Sequence, residues 1–304
     1  MNKASTRGQR PTRDARLGLA IAAMLLMWAS AFAAIRSALP FFSPGALALL
    51  RFLFASGTLG ALSAARGLPR PARRDLPTLL GLGVLGITIY HLSLNWGEQT
   101  VTAGAASLLI ASAPMVTALL ARLLLKEALS RWGWAGIVLG FGGIALITLG
   151  EGQELRVEPG AVVILLAALS ASLYSVLQKK HVGRYPPLAF TTYVVWAGTI
   201  PMLVFLPQLV EGLKMAPAGV IASVAYLGVF PGGLAYVLWV YGLSRTSASH
   251  LSSFLYLNPV LAIAIAWVWL REVPSWLSLV GGLVTIGGVA LANLRRGSPV
   301  RPSA

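Results

Sequence analysis

The sequence predicts an all-α integral membrane protein with ten transmembrane helices, arranged as two inverted five-helix repeats. Hydrophobic residues make up 57% of its 304 residues and charged residues only 11%, and the mean hydropathy is +0.76. Such a composition leaves too few polar side chains to cover a surface in water, whereas a lipid bilayer needs no such cover. Apolar stretches of roughly 20 residues, long enough to cross a hydrocarbon core as helices, follow one another along the chain. The second half also repeats residue types of the first half at a constant shift, so each half holds five stretches.

The ten apolar segments are separated by short loops that hold most of the charged residues, and no soluble domain fits between them. The tails are rich in Arg, Pro, Ser and Thr, which favours disorder. We therefore divide the chain into a basic tail at 1–16, a first repeat at 17–150, a second repeat at 159–294 and a tail at 295–304. In chain order, the predicted helices cover 17–35, 45–65, 76–96, 100–125, 132–150, 159–177, 188–206, 217–243, 248–270 and 276–294.

Lysine and arginine fall unevenly on alternate loops. Eighteen lie on the side that holds both termini, and four, Arg36, Arg156, Lys214 and Arg271, lie on the other side. Because cytoplasmic loops are enriched in Lys and Arg, both termini are predicted in the cytoplasm and the protein in the cell inner (plasma) membrane. Topology thus accounts for the formal net charge of +15, and we expect no nucleic-acid partner.

The Arg-rich start, the apolar run and the small residues at 29–31 also fit a cleaved signal peptide. The internal repeat favours a retained first helix. Residues 28–36 match residues 170–178 at a shift of 142, and Pro44 matches Pro186 at the same shift. A cleaved segment would have no reason to have a counterpart in the second half.

The repeat is clearest from residue 90 to residue 290, at a shift of 145. The matched positions include Pro114 with Pro259, Lys126-Glu127 with Arg271-Glu272, and glycines 142–143 with 287–288. Five helices per copy is an odd number, so the second copy enters the membrane from the opposite side. Inverted repeats build a site near the bilayer midplane and expose it alternately to each side, which predicts a transporter. A channel or a scaffold built from a duplicated bundle is the alternative.

Several motifs resemble a known family. They are the Trp-x-Ser-x-Phe of the first segment, the Ala-Ser-Leu-Leu-x-x-x-x-Pro pattern from Ala106 to Pro114, the Lys-Glu pair and the Gly-rich fifth segment. In this order and in duplicate, they resemble the EamA-type repeat of the drug/metabolite transporter superfamily over most of the chain. Tyr90-His91 and Trp28 look like those of the YddG amino-acid exporters in that superfamily. The resemblance implies export of aromatic and other amino acids from the cytoplasm without ATP.

Residue patterns for other energy sources and for enzymes are missing from the sequence. No lysine follows a glycine, so there is no P-loop for ATP. The only aspartates, Asp14 and Asp75, lie in segments expected in the cytoplasm, and the sequence has neither a His-Glu-x-x-His motif nor a cysteine. We therefore expect no cofactor, no metal and no enzymatic activity, with an intramembrane enzyme as the runner-up class.

The third segment carries the sharpest candidates for binding a substrate. His91, Asn95 and Glu98 share one helical stripe at i, i+4 and i+7, and Tyr90 lies on the adjacent stripe. Polar groups are costly in a bilayer, so the stripe is predicted to face the bundle interior or a wet cavity. The equivalent positions of the second copy hold Tyr236, Val240 and Leu243. We interpret this asymmetry as chemistry rather than packing.

His91 has two interpretations of equal weight. In a cavity, its imidazole would bind a substrate carboxylate or ammonium, or carry a coupling proton near neutral pH. In a packed interior, it would bond a carbonyl or hydroxyl of a neighbouring helix.

Other candidates lie on other segments. Tyr174 and Gln178 form a polar stripe with Ser170 on the sixth segment, and Trp28 lies mid-segment, away from the interfacial aromatic belt. The complete set of predicted substrate-binding residues is Trp28, Ser30, Tyr90, His91, Asn95, Tyr174, Gln178, Trp239 and Tyr256.

Four residues are predicted to act in gating. Arg51 and Glu98 have opposite charges and similar depths, so they are expected to form an ion pair that breaks when the cavity opens. Pro114 and Pro259 lie past the middle of the fourth and ninth segments, where proline permits bending for gating or sets a static kink. The glycines of the fifth and tenth segments predict close helix packing, which either braces a monomer or forms a homodimer.

The predicted cavity offers aromatic walls, amides, hydroxyls and one imidazole but few fixed charges. This favours neutral and aromatic amino acids as the small-molecule substrate, because a strongly anionic substrate would demand a cationic pocket. A drug or another small metabolite is the alternative substrate, and a passive channel is the alternative mechanism.

Overall fold

A computed structural model describes residues 11–113, 115–117, 120, 131–151, 157–178, 181, 183–245, 251 and 254–294. The regular secondary structure of this part of the chain is helical. In chain order the helices are α1 (Pro11–Ala38), α2 (Pro44–Arg66), α3 (Leu76–Gly83), α4 (Tyr90–Gly97), α5 (Ala103–Ile110), α6 (Arg131–Glu151), α7 (Pro159–Gln178), α8 (Pro187–Met202), α9 (Leu206–Met215), α10 (Ala218–Leu227), α11 (Ala235–Arg245), α12 (Asn258–Leu270) and α13 (Trp276–Leu294).

Six helical stretches among the described residues are long and apolar enough to cross a membrane, so the chain is a multi-pass membrane protein. They are Arg16–Ala38, Pro44–Arg66, Arg73–Gly97, Pro159–Gln178, Pro187–Met215 and Ala218–Arg245. Shorter apolar stretches lie in α5, α6, α12 and α13. The order of all these stretches follows the ten predicted segments, and the number of ten crossings stays a prediction.

α1 begins at Pro11, within the segment predicted as a basic tail at 1–16, and its apolar span begins at Arg16. Proline suits the first turn of a helix, where its missing N–H has no intrahelical partner to lose, and the alanine and arginine that follow are good helix formers. Residues 1–10 and 295–304 lie outside the described residues.

The prediction of one continuous ninth helix over 248–270 was wrong. α12 begins at Asn258, after a 3₁₀ turn at Phe254–Leu257. Pro259 therefore lies in the first turn of a helix; inside a longer helix its ring would clash with the carbonyl four residues earlier. The fourth segment is interrupted at the equivalent place, because α5 ends at Ile110 and a turn follows at 111–112.

Two of the long stretches contain π-helical turns at matching positions. One turn covers Val84–Ile89, between α3 and α4, and the other covers Gly228–Leu234, between α10 and α11. The shift of 145 places 84–89 on 229–234. Thr88 anchors the first turn to α8, where its hydroxyl donates to the carbonyl of Gly198 at 2.7 Å. Such wide turns occur frequently at functional sites.

α6 and α13 pack against each other through their glycines. A Cβ on Gly143 would lie 2.5 Å from the carbonyl oxygen of Gly281, and a Cβ on Gly288 would lie 2.6 Å from that of Gly136. Rising residue numbers in α6 meet falling numbers in α13, so the two helices are antiparallel. Since these glycine faces are occupied within the chain, a dimer through the same two helices would have to use their opposite faces.

Side-chain networks tie the helices together at both ends of the bundle. At one end, which we call the Arg36 end, Arg36 Nε donates to Glu272 at 3.0 Å and Nη1 donates to two backbone carbonyls of the turn after α4. At the other, the Asp75 end, Asp75 accepts hydrogen bonds from Arg184 at 2.9 Å and from the hydroxyl of Tyr185 at 2.8 Å.

Candidate substrate-binding site

A chain of hydrogen bonds links the two halves of the molecule in the buried interior. Arg51 Nη1 donates to His91 Nδ1 at 3.3 Å, and His91 Nε2 lies 3.1 Å from the hydroxyl of Tyr236. A guanidinium can only donate, so Nδ1 accepts and the neutral imidazole carries its proton on Nε2. The Tyr236 hydroxyl donates in turn to the carbonyl of Gly86 at 3.4 Å. His91 and Tyr236 are 145 residues apart, so equivalent residues of the two repeats meet here.

Aromatic rings surround this series of hydrogen bonds. Trp28 of α1 packs edge-on against Tyr236, with ring centroids 5.7 Å apart, and against Trp239 at 5.6 Å. The indole N–H of Trp28 donates to the carbonyl of Pro231 at 3.2 Å, within the second π turn. Three of the four residues come from the second half of the chain, so α1 of the first half is bound tightly to the second half.

Arg51 lies deep in the interior. Its side chain is only 2% exposed, and its guanidinium carbon lies 5.5 Å from the centroid of the Phe52 ring. Nε has no hydrogen-bond partner. Gly232 lies next to this nitrogen, because a Cβ on Gly232 would be 3.5 Å from it. A Cβ on Gly232 would also lie 3.0 Å from the carbonyl oxygen of Leu227, so the second π turn packs closely against the guanidinium.

Asn95 and Glu98 are 0% exposed, and their side-chain oxygens are acceptors to which no group donates. The Asn95 amide nitrogen donates to the carbonyl of Pro44 at 3.0 Å, which leaves Oδ1 without a partner. Neither oxygen of the Glu98 carboxylate has a hydrogen-bond partner. In this conformation Arg51 bonds His91 and does not form the predicted ion pair with Glu98.

Two more predicted residues lie beside the hydrogen-bond chain. Tyr90 is half-buried, and its ring meets that of His91 edge-on with centroids 4.6 Å apart. The ring of Tyr174, on α7, lies against Gly86, whose carbonyl accepts the last hydrogen bond of the series. With Trp28, His91, Arg51 and Trp239, these residues form one buried cluster that the folded chain brings together.

The remaining predicted residues lie apart from this cluster. Ser30 pairs with the hydroxyl of Tyr226 on α10 at 2.6 Å. Gln178, one turn beyond Tyr174, is fully buried, and neither of its amide atoms has a partner. Pro114 and the side chain of Tyr256 lie outside the described residues.

Sequence reasoning missed Tyr236 and Phe52. The comparison of the two copies presents Tyr236 as the less polar counterpart of His91, whereas the structure makes it the hydrogen-bond partner of that residue. The signal that points to it is the repeat itself, because Tyr236 stands at the position of the second half equivalent to His91. Phe52 packs against His91, with ring centroids 4.5 Å apart; nothing in the sequence marks it beyond its place next to Arg51.

A cavity of about 440 Å³ lies at the Asp75 end, between the end of α2, the start of α8 and α11. Its lining is mostly apolar and includes Pro69, Pro186, Leu238 and Tyr241, so it reaches the helical turn that holds Trp239. Among the described residues, no three His, Asp or Glu side chains lie close enough together to hold a metal ion.

The family model and two similar proteins that match this chain are named as transporters or exporters. Residues 17–149 and 158–294 each match the EamA-like transporter family. The chain is similar to "Uncharacterized transporter YdfC" of Bacillus subtilis, with 42% identity over 272 residues that cover 90% of this chain and 89% of the relative. It is also similar to a "Probable terminal-alkyne amino-acid exporter" of Streptantibioticus cattleyicolor, with 40% identity over 276 residues that cover 91% and 93%. A chain of a solved crystal structure shares the fold with a TM-score of 0.63 at 23% identity, over 92% of this chain and 97% of that chain.

Proposed function

Because the chain belongs to the EamA-like transporter family, we propose that it exports aromatic and other neutral amino acids from the cytoplasm. Transport proceeds by alternating access through a central cavity and uses no ATP. The observation that carries this proposal is the buried cluster in which Trp28, Tyr236 and Trp239 form an aromatic wall beside the polar groups of Arg51 and His91. Aromatic walls bind apolar side chains, and a few convergent polar groups orient the rest of the molecule.

A relative supports the substrate class. The similar Streptantibioticus cattleyicolor protein is named a probable exporter of a terminal-alkyne amino acid, and it covers nearly the whole chain. An alkyne side chain is apolar and uncharged. A transporter of neutral amino acids with apolar side chains is therefore consistent with both the relative and the buried cluster.

The packing supports ten helices in two inverted repeats. α6 and α13 occupy equivalent positions in the two halves, and they run antiparallel with reciprocal glycine contacts. Thr285 and its equivalent Gly140 touch between them, as His91 and Tyr236 do in the site. Such contacts between equivalent residues are expected around an axis lying in the membrane plane, and such repeats alternate by rocking one half against the other.

Charge supports the orientation. Arg66, Arg70, Arg73 and Arg74 lie at the Asp75 end, whereas few basic residues lie at the Arg36 end. We propose that the Asp75 end faces the cytoplasm of a cell inner membrane, with both termini on that side. The cavity beside Tyr241 would then be the cytoplasmic entrance.

The test is transport by the purified protein in proteoliposomes. Vesicles loaded with unlabelled tyrosine or threonine are expected to accumulate the labelled amino acid by counterflow, whereas glutamate, a nucleotide sugar and ethidium are not expected to exchange. Flux of ethidium alone would support the alternative of a drug exporter, and flux without counterflow would support a channel. Absence of any amino-acid flux would contradict the proposal.

The same assay with a pH gradient tests His91. If this residue carries a coupling proton, His91→Asn abolishes the dependence on the gradient; if it only binds substrate, the variant lowers affinity and leaves the gradient dependence unchanged. An unchanged rate for His91→Ala would make the residue structural.

We propose further that Arg51 and Glu98 act as a gate by pairing in a conformation other than this one. If the pair forms, Arg51→Ala and Glu98→Ala each impair export and the double variant is no worse than either single variant. Additive losses would contradict a gate.

A further inference from the structure

Two opposite charges lie buried near one another without pairing. The side chains of Arg51 and Glu98 are 2% and 0% exposed. Arg51 Nε and both oxygens of Glu98 have no hydrogen-bond partner. A charge inside a bilayer is costly unless a partner compensates it, so such groups are kept where a ligand or a second group supplies the missing charge.

The donors and acceptors are separated along the bundle. Arg51 is fixed next to His91 by its hydrogen bond of 3.3 Å. Glu98 follows His91 by seven residues on α4 and the turn after it, which corresponds to about 10 Å along a helix. Between them lies Asn95, whose Oδ1 has no partner. The site therefore has a pure donor at one end and three unused acceptor oxygens toward the other.

Arg36 lies beside Glu98 in the folded chain, because it donates to the Glu98 backbone carbonyl, and its Nε is engaged with Glu272 at 3.0 Å. The Glu98 carboxylate accepts no hydrogen bond from it. Both carboxylate oxygens therefore keep their hydrogen-bonding capacity for a ligand with N–H donors.

We propose that these groups bind the two charged ends of a zwitterionic α-amino acid. Arg51 holds the α-carboxylate through Nε–H, which has no hydrogen-bond partner in this conformation. Asn95 Oδ1 and the Glu98 carboxylate accept from the α-ammonium, which has three N–H donors and no acceptor. The inference rests on the proposed function and adds to it the groups that recognise the backbone of the substrate.

The charges of the substrate fit this arrangement. A bound zwitterion compensates both buried charges, whereas an amine leaves Arg51 unpaired and an acid leaves Glu98 unpaired. The site therefore selects zwitterions by charge, and the aromatic wall of Trp28, Tyr236 and Trp239 selects the side chain.

The test uses three ligands of one shape. Tyrosine, tyramine, which lacks the carboxylate, and 3-(4-hydroxyphenyl)propionate, which lacks the ammonium, compete with labelled tyrosine in counterflow. With the unmodified protein, tyrosine is expected to compete at least tenfold better than either analogue. Arg51→Gln is expected to weaken tyrosine on the order of tenfold or more and to leave tyramine unchanged, so that the preference between them disappears. Glu98→Gln is expected to do the same for tyrosine against the propionate.

Exposed residues supply matched controls. Arg70→Gln and Glu211→Gln remove the same charges from exposed positions, and both are expected to keep the preferences of the unmodified protein. If Arg51→Gln does not fold, Arg51→Lys keeps the charge but not the planar geometry, and it is expected to reduce the preference for tyrosine over tyramine severalfold. Binding is then measured as the shift in Tm that each ligand induces in detergent.

The outcomes separate the two proposals. If the unmodified protein exchanges no amino acid, the proposed function fails and this inference fails with it. If it exchanges tyrosine but the Arg51 and Glu98 variants keep the full preference for tyrosine over the analogues, the inference alone is overturned.

Discussion

Removing the Tyr236 hydroxyl is expected to destabilise the protein, because the substitution strands a buried donor. Tyr236→Phe keeps the ring and its edge-on contact with Trp28 at 5.7 Å. It removes the partner of His91 Nε2 at 3.1 Å and a long hydrogen bond to Gly86 at 3.4 Å. The first contact has ordinary length and is buried, so its loss dominates. A buried donor without an acceptor costs about 1–3 kcal/mol, which is the expected decrease in the free energy of unfolding.

The assay is SDS-titrated unfolding of the purified protein, with Tyr241→Phe as the control. Tyr241 is half-buried, and its hydroxyl has no hydrogen-bond partner among the described residues, so its loss is expected to change stability by less than about 0.5 kcal/mol. The double variant His91→Leu with Tyr236→Phe is expected to cost less than the sum of the two single variants, because neither partner is then stranded. Equal stabilities of Tyr236→Phe and Tyr241→Phe would refute the reasoning.

Three further predictions follow from other contacts. Gly143→Leu is expected to lower the free energy of unfolding by about 1–3 kcal/mol or more, because its Cβ would meet backbone of α13, whereas Gly287→Leu has open space and is expected to be neutral in the same unfolding assay. Glu272→Gln breaks the ion pair with Arg36 and is expected to favour opening of the Arg36 end up to about fivefold, which corresponds to a pair of about 1 kcal/mol. Because the chain has no cysteine, the labelling rate of one cysteine introduced by Ser107→Cys measures this opening. An unchanged labelling rate would contradict a closing role for the ion pair. Trp28→Ala is expected to weaken tyrosine about tenfold more than threonine in counterflow competition, because it removes the aromatic wall; equal losses for both would place the binding of the side chain elsewhere.

Helix positions were largely predictable because bilayer length and composition constrain them directly. The segment predicted at 159–177 agrees with α7 to within one residue, and the segment predicted at 276–294 has the same bounds as α13. The errors came where backbone chemistry overrides composition. Pro259 starts a helix instead of bending one, and the π turns around residues 84–89 and 228–234 leave no mark in hydropathy.

The candidate site was predictable in its residue types but not in its pairings. A polar stripe through His91 and Asn95 has to face the interior, since lipid would penalise it. Which group each side chain bonds depends on packing between helices far apart in sequence. Thus Arg51 was expected opposite Glu98 but bonds His91, and Tyr236 was discounted although it bonds the same histidine.

The sequence by itself determined the solvent, the helical segments and the duplication, because each follows from local composition or from comparing the chain with itself. Only the tertiary structure decided which equivalent residues touch and which buried charges remain unpaired. Burial and hydrogen bonding are properties of neighbours in space, and the packing of the two halves brings His91 of one against Tyr236 of the other. That packing leaves Arg51 Nε and the Glu98 carboxylate without partners in the interior, where the proposed substrate supplies them.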